Sequence, residues 1–175
     1  LCDPRRFELQ INELETSESL GVVGTKVELI DEKGNKINFQ KFKFFENNIE
    51  IRKALKYRQP LLHSSLMFRS QILFDNKGYL YGHTSEDHEM FIRIARDQNI
   101  KFKNLNSITT YYRRHNAQLS DMKNYKKHFY EISGFLFSEF LKSLNPLYII
   151  GIFVNLPILR KIRYMIRKLL KFLSN

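Results

Sequence analysis

The chain has 175 residues, of which 43% are hydrophobic and 14% aromatic, and it contains a single cysteine. This composition is typical of a folded domain and excludes a disordered chain, an internal disulfide framework and a cysteine-based zinc site. The formal net charge is +11, and the excess lies largely in the last sixteen residues, which hold six basic and no acidic side chains.

The first part of the sequence predicts two helices with a β-hairpin between them. Asp3 followed by Pro4 is typical of a helix start, since a capping side chain precedes the residue type favoured in the first turn. Pro60 disfavours helical conformation in the residue before it, which ends the second helix. The predicted ranges are a helix over 4–16, a strand over 21–30, a turn over 31–35 with a short second strand after it, and a helix over 47–57.

The middle of the sequence predicts further strands and helices. Apolar residues recur at helical spacing on one side of a predicted helix over 86–98, and they are Met90, Phe91, Ile94 and Ala95. The other predicted ranges are a buried strand over 61–68, a short helix over 69–74, a loop over 74–82, strands over 100–102 and 107–113, and a helix over 121–143.

The C-terminal part differs from the rest in composition. Residues 146–159 include one strongly polar residue, Asn155, but a helix of this length reaches about 21 Å, whereas a hydrocarbon core is roughly 30 Å thick. After Pro157, aliphatic residues form one face of a predicted helix and basic residues the other, as in helices that lie in a membrane interface. The segment 146–175 is therefore predicted to contact a membrane surface. The alternative is a helix that packs on its own domain with a solvated basic face.

An acidic pair, Glu86 and Asp87, follows Ser85 at the predicted start of the helix over 86–98. The N-terminus of a helix supplies partial positive charge and free backbone N–H groups, which favour an ionised carboxylate and hold it still. A carboxylate fixed in this way can act as a general base. The alternative is that Ser85 caps the helix and the two carboxylates only complement its dipole.

Three segments occur in an order and at separations that resemble the downstream half of the family 2 glycosyltransferases with a GT-A fold. They are residues 58–69 with His63-Ser64-Ser65, the acidic pair with its helix, and residues 111–120 with Tyr111-Tyr112-Arg113-Arg114-His115. Residues 3–10 and 21–25 are similar to the helix and strand that follow the donor site in that family. The resemblance covers residues 1–120 and implies an α/β fold, a partial GT-A-like (Rossmann-like) mixed sheet flanked by helices. A helical extension over 121–145 and the segment 146–175 would follow it.

The resemblance also implies roles for individual residues. Asp87 matches the catalytic base, which takes the proton of an acceptor sugar hydroxyl as that hydroxyl attacks the anomeric carbon of the donor and inverts it. Glu86 would orient the acceptor or help to fix Asp87. His63, with its neighbour Ser64, matches a histidine at the base of the acceptor pocket. The alternative for His63 is a core histidine bonded to the backbone.

Arg113, Arg114 and His115 are implied to bind the donor diphosphate. Guanidinium groups suit a diphosphate by charge and bidentate geometry, and strand alternation allows one of the two arginines to face the site. His115 would reach the diphosphate or its metal ion, the alternative being a loop histidine. The remaining histidines show no metal-ligand spacing and are predicted to be surface or packing residues: His83, His88 and His128.

The metal-binding Asp-x-Asp motif of that family, and the nucleotide-binding half around it, have no counterpart in this sequence. We therefore expect the chain to be part of a longer enzyme and to be inactive alone. The full-length enzyme is expected to need a divalent metal, Mg²⁺ or Mn²⁺, because the leaving nucleoside diphosphate carries charge. The implied partners are a nucleotide-sugar donor and a glycan or lipid-linked acceptor of bacterial surface polysaccharide synthesis, at the cytoplasmic face of the cell membrane.

A function from another class stays open, namely a non-catalytic basic module that binds a membrane or nucleic acid. Nucleic-acid binding predicts aromatic residues interleaved with basic ones on an exposed face, and residues 111–114 offer one short example. The basic residues of the C-terminal end alternate with aliphatic ones instead, which favours lipid. No nucleic-acid partner is therefore predicted.

Overall fold

The computed structural model describes residues 1–37, 43–114, 125–159, 161–162 and 165–166. Three strands, β1 (Leu20–Ile30), β2 (Met67–Phe68) and β3 (Lys101–Arg113), form a mixed sheet in the order β2-β1-β3. The helices are α1 (Arg6–Glu15), α2 (Asn48–Leu55), α3 (Ser70–Asp75), α4 (Glu86–Ile94), α5 (Tyr125–Ser143) and α6 (Pro146–Val154). The predicted α/β class, with a mixed sheet flanked by helices, is confirmed and is compatible with a partial Rossmann-like fold.

The central strand β1 is buried on both faces. It pairs parallel with β3 and antiparallel with β2. Because successive side chains of a strand point to opposite faces, Val22 packs in the larger core with α2 and α4, whereas Val23 packs with Leu14 of α1. The buried Gln10 of α1 donates to the carbonyl oxygens of Val23 (2.6 Å) and Ser65 (3.0 Å), which fixes α1 against β1.

The N-terminal elements differ from the prediction in their limits. The first helix begins at Arg6, because residues 4 and 5 form a turn in which the Asp3 carboxylate accepts the N–H of Arg5 (2.9 Å). The turn over 31–35 is confirmed, and Lys36, where the predicted second strand would begin, forms an isolated antiparallel bridge with Ile30. Residues 38–42 lie outside the described part. The helix predicted over 47–57 is α2, with the side chain of Asn47 accepting the N–H of Glu50 (3.0 Å) at its start.

Two strand predictions were wrong in extent. The segment 61–68 is mostly not a strand, because residues His63–Ser65 form a 3-10 helix and only Met67–Phe68 pair with β1. The strands predicted over 100–102 and 107–113 are one strand, β3. Its register against β1 shifts where Thr25 pairs with Leu105 and Lys26 pairs with Ile108, and this irregularity lies between the two predicted ranges.

The remaining helices, α3 to α6, lie before and after β3 in chain order. The helix predicted over 69–74 is α3. The helix predicted over 86–98 is α4, and it ends earlier, at Ile94. Helix α5 corresponds to the helix predicted over 121–143, of which residues 121–124 are not described. Ile92 of α4 packs with Ile132 and Leu136 of α5 in a separate core cluster. Residues 157–159, 161–162 and 165–166 are also helical. Within the described ranges, none of the helices has both the length and the apolar character needed to cross a membrane.

Candidate functional site

The acidic pair lies at the start of α4, as the sequence predicts. Glu86 is the first residue of the helix, and both carboxylates are half-buried. Oδ1 of Asp87 accepts the backbone N–H of His88 (2.7 Å), so one of the free N–H groups of the first turn holds this carboxylate. The predicted cap at Ser85 is wrong, since its side chain makes no capping hydrogen bond to the helix and its hydroxyl donates to another residue, Glu131.

His63 lies over the same helix. Its ring centroid is 6.4 Å from that of Phe91, which follows Asp87 by one helical turn and therefore lies on the same side of α4. Both His63 and Ser64 are exposed, so the alternative of a core histidine does not hold. Nε2 of His63 forms a short hydrogen bond with the hydroxyl group of Tyr79, and the two rings meet edge to face at 5.6 Å.

Tyr79 links His63 to the acidic pair. Partial burial raises the pKa of Tyr79, and the negative charges of Asp87 and Glu86 raise it further. At neutral pH the phenol therefore keeps its proton and can donate it in a hydrogen bond. The structure therefore brings together His63, Tyr79 and the two carboxylates.

Arg93 fixes the beginning of the loop that carries Tyr79. Its guanidinium forms a buried ion pair with Glu89 at 2.8 Å and donates to the carbonyl oxygens of Asn76 and of Gly78, the latter at 2.6 Å. Lys77 and Gly78 both have positive φ values, so the chain turns sharply where Arg93 holds it. Tyr79 follows directly from this anchored turn.

Glu131 of α5 fixes the end of the same loop. Its Oε2 accepts the N–H groups of His83 (3.1 Å) and Thr84 (2.9 Å) and the hydroxyl groups of Thr84 (2.9 Å) and Ser85 (3.0 Å). Partial burial raises the pKa of Glu131, but these hydrogen bonds, led by those from Thr84, outweigh it and lower the pKa to about 2. Nδ1 of His128 on the same helix is 3.0 Å from the carbonyl oxygen of Thr84.

The residues predicted for the donor diphosphate lie at the end of β3. Arg113 pairs with Ile30 across the sheet, and its guanidinium donates to the carbonyl oxygens of Asp31 (3.0 Å) and Glu32. The backbone N–H of Arg114 donates to the carbonyl oxygen of Ile30 (2.8 Å). Some of the N–H groups of the Arg113 guanidinium are thus already bonded to the turn over 31–35. His115 lies outside the described residues.

In the part of the chain that the structure describes, no group of three or more His, Cys, Asp or Glu side chains is arranged to hold a metal ion. Of the histidines predicted to be surface or packing residues, His83 is exposed and His88 is buried in α4. His128 is half-buried and packs against the loop before the acidic pair.

Two residues of the site were missed from the sequence. Tyr79 belongs to a predicted loop next to the acidic pair, and its closeness to that pair in sequence was an available signal. Glu131 carried no signal, because it is an ordinary acidic residue of an amphipathic helix and its partners lie more than forty residues earlier.

Over 140 residues, which are 79% of the chain, the sequence is 33% identical to a protein of Escherichia coli named O-antigen biosynthesis glycosyltransferase WbnJ. The matched part makes up 52% of that protein, so the chain spans about half the length of this curated relative. Because only about a fifth of the chain is unmatched, residues 63–114 fall within the match wherever its ends lie. No family model matches the chain.

Proposed function

We propose that the chain is the acceptor-side part of a glycosyltransferase of family 2 with a GT-A fold, which transfers a sugar from a nucleotide-sugar to a glycan or lipid-linked acceptor in bacterial surface polysaccharide synthesis. The observation that carries the proposal is the similarity to an O-antigen biosynthesis glycosyltransferase across the segment that holds the acidic pair. The cluster of His63, Tyr79, Glu86 and Asp87 supports it, because it joins an ionisable base to hydrogen-bonding groups on an exposed surface.

In this proposal Asp87 is the general base of an inverting displacement. An acceptor hydroxyl donates its proton to Oδ2 of Asp87 while its oxygen forms a bond to the anomeric carbon of the donor. The bond between that carbon and the diphosphate breaks, and the nucleoside diphosphate leaves with the electron pair. A hydroxyl is a weak nucleophile until its proton is being removed, so a fixed carboxylate accelerates this step.

His63 and Tyr79 would bind the acceptor beside the base. The exposed ring of Tyr79 offers an apolar face to a sugar ring, and its hydroxyl and the ring of His63 offer hydrogen-bonding groups at one edge. Ser64 adds an exposed hydroxyl next to His63. Glu86 would orient the acceptor or hold Asp87 in place.

The donor side of the proposal depends largely on residues outside this chain. Arg113, Arg114 and His115 are proposed to contribute to diphosphate binding, whereas the nucleotide pocket and the Asp-x-Asp ligands of a Mg²⁺ or Mn²⁺ ion would come from another part of a longer protein. Among the residues that the structure describes, no set of side chains forms such a metal site. We accordingly propose that the 175 residues alone do not catalyse sugar transfer.

The C-terminal segment 146–175 is proposed to bind the cytoplasmic face of the membrane. Large apolar side chains in its described part are 40% to 61% exposed, and they are Ile150, Phe153, Ile158, Leu159, Ile162, Met165 and Ile166. Basic residues are interleaved with them in the sequence, at 160, 161, 163, 167, 168 and 171. Apolar groups flanked by basic ones match an anionic lipid surface, where a lipid-linked acceptor would also lie.

The experiment that tests this function is the transfer of a radiolabelled sugar from a panel of nucleotide-sugars into a lipid extract of bacterial membranes. The full-length protein should transfer one of them with inversion of the anomeric configuration, read by NMR of the product, and the 175-residue chain should transfer none. Failure with every donor, or retention of configuration, would contradict the corresponding part of the proposal.

A further inference from the structure

The start of α4 depends on a partner from a distant helix. Ser85 occupies the position before Glu86, but its hydroxyl is directed to Glu131 of α5 and makes no capping hydrogen bond to α4. The direction in which a helix begins is set by the residues before its first turn. The position of the acidic pair is therefore set in part by the contacts of residues 83–85 with α5.

Those contacts are concentrated on a single atom. Three consecutive residues donate four hydrogen bonds to Oε2 of Glu131, and hydrogen bonds to an ionised acceptor are stronger than those between neutral groups. A loop held by one charged atom at its last three residues has little freedom to shift. The low pKa of Glu131, about 2, keeps this charge in place throughout the neutral and mildly acidic range.

Gly82 shows how closely the loop passes between the two helices. Its φ of +92° lies in the region that favours glycine. A Cβ atom added there would be 3.1 Å from the backbone nitrogen of Glu86 and 3.3 Å from Oε2 of Glu131. The chain thus approaches both the carboxylate and the first residue of α4 at a position where a side chain would crowd them.

We propose that Glu131 is a positioning residue for the acidic pair: its carboxylate fixes residues 83–85 and thereby holds Asp87 toward the acceptor hydroxyl. The inference rests on the proposed function, because it assigns Asp87 to the reacting site. Glu131 acts through the loop and does not itself touch the substrate. Helix α5 would then be part of the active site, although it belongs to what the sequence suggests is an extension.

Glu139 provides a matched control on the same helix. It follows Glu131 by eight residues, about two helical turns, and it also joins α5 to the α4 region, through an ion pair with Arg96. A second ion pair, with Lys142, lies within α5. Arg96 lies just beyond the end of α4, at the opposite end from the acidic pair. Loss of Glu139 should therefore weaken the packing of α5 without moving Asp87.

The experiment compares Glu131→Gln, Glu139→Gln and Asp87→Asn in the full-length protein. For each variant, kcat and the KM for the donor are measured by sugar transfer into the membrane lipid extract, stability by thermal unfolding, and amide hydrogen exchange over residues 83–87. We expect Glu131→Gln to lower kcat by about 10- to 100-fold, to leave the KM for the donor nearly unchanged and to speed exchange over residues 83–87. Glu139→Gln should keep kcat and the exchange of this segment.

The outcomes separate this inference from the proposed function. If Asp87→Asn is inactive while Glu131→Gln keeps the wild-type kcat, the inference is wrong and the function stands. Unchanged exchange over residues 83–87 in Glu131→Gln also overturns the inference, independently of any activity. Equal losses of kcat in Glu131→Gln and Glu139→Gln would reduce Glu131 to a structural residue. Wild-type transfer by Asp87→Asn would contradict the assignment of Asp87 as the general base, and with it the inference that Glu131 positions that base.

Discussion

His88 follows Asp87 in α4 and is buried, with its Nε2 2.8 Å from the carbonyl oxygen of Leu55. Burial lowers the pKa of His88 from 6.5 to about 4, and it outweighs the opposing effects of the Leu55 carbonyl and the charge of Asp87. Between these pH values the unfolded chain binds a proton that the folded protein excludes. The stabilisation gained by burying the neutral His88 ring is therefore complete above pH 6.5, and it declines as the pH falls toward 4.

This difference predicts a pH-dependent stability. We expect the free energy of unfolding to fall below pH 6.5, with a slope of up to about 1.4 kcal/mol per pH unit from this one group. His88→Gln should flatten the curve between about pH 5 and 6.5, measured by urea denaturation at a series of pH values. The same measurement on Glu139→Gln, which leaves His88 in place, provides a variant for comparison. Equal slopes for wild type and His88→Gln would show that burial of this ring is not responsible.

The residues of the site differ in how far the sequence alone predicts their role. Glu86 and Asp87 were found because a helix start is a local pattern, and α4 does begin at Glu86. Their closeness to His63 and Tyr79 depends on how two loops pack over α4, which no periodicity encodes. Glu131 depends on the docking of α5, so its hydrogen bonds could be known only from the folded chain.

At the level of elements, long amphipathic helices were easier to predict than strands. A helix repeats its apolar pattern over several turns, whereas β2 has two paired residues and takes its conformation from β1. The 3-10 helix at His63–Ser65 interrupts a sequence whose apolar residues suggested one strand. In β3 the opposite occurred, because the polar residues between Leu105 and Ile108 belong to a continuous strand with an irregular register.

Helix α6 docks on the end of α2 through a glycine. A Cβ atom at Gly151 would lie 2.5 Å from the carbonyl oxygen of Lys56 and 2.8 Å from Cα of Tyr57, both of which are backbone atoms that cannot easily move. Asn155 of the next turn donates to the carbonyl oxygen of Tyr57 (3.2 Å). In contrast, a Cβ atom at Gly134 in α5 would meet nothing within 4 Å.

These two glycines predict opposite effects of the same substitution. Gly151→Ala should destabilise the protein by about 1 to 3 kcal/mol, because the added methyl group forces two backbones apart. Gly134→Ala should stabilise it by about 0.5 to 1 kcal/mol, because alanine loses less conformational freedom in a helix. Urea denaturation of both variants measures the difference. A Gly151→Ala protein as stable as wild type would contradict the packing of α6 against residues 56–57.

At the level of the whole molecule, apolar exposure and basic charge coincide at the C-terminal end. Charge attracts the segment to anionic lipid, and apolar side chains insert below the headgroups, so the two contributions should depend differently on salt. The sequence pattern predicted this character, and the described residues after 156 include exposed apolar side chains at 158, 159, 162, 165 and 166.

Vesicle binding tests that proposal. The protein should float with vesicles of phosphatidylcholine and phosphatidylglycerol, bind pure phosphatidylcholine more weakly, and lose affinity as salt increases. Ile158→Ser combined with Ile162→Ser should weaken binding by about tenfold or more, because two apolar side chains that would insert into the membrane are lost. Phe137, an exposed apolar residue of α5, provides the control, and Phe137→Ser should bind as wild type. Equal binding by both variants would contradict insertion of this segment.

The central claim is that Asp87 removes the proton from the acceptor hydroxyl, and the rate of sugar transfer by Asp87→Asn tests it most directly. In the full-length protein we expect this variant to unfold at the wild-type temperature and to lose about 100- to 10,000-fold in kcat. Asp75→Asn, which alters an exposed acidic residue at the end of α3, should transfer at the wild-type rate. A folded Asp87→Asn protein with the wild-type rate would contradict the account.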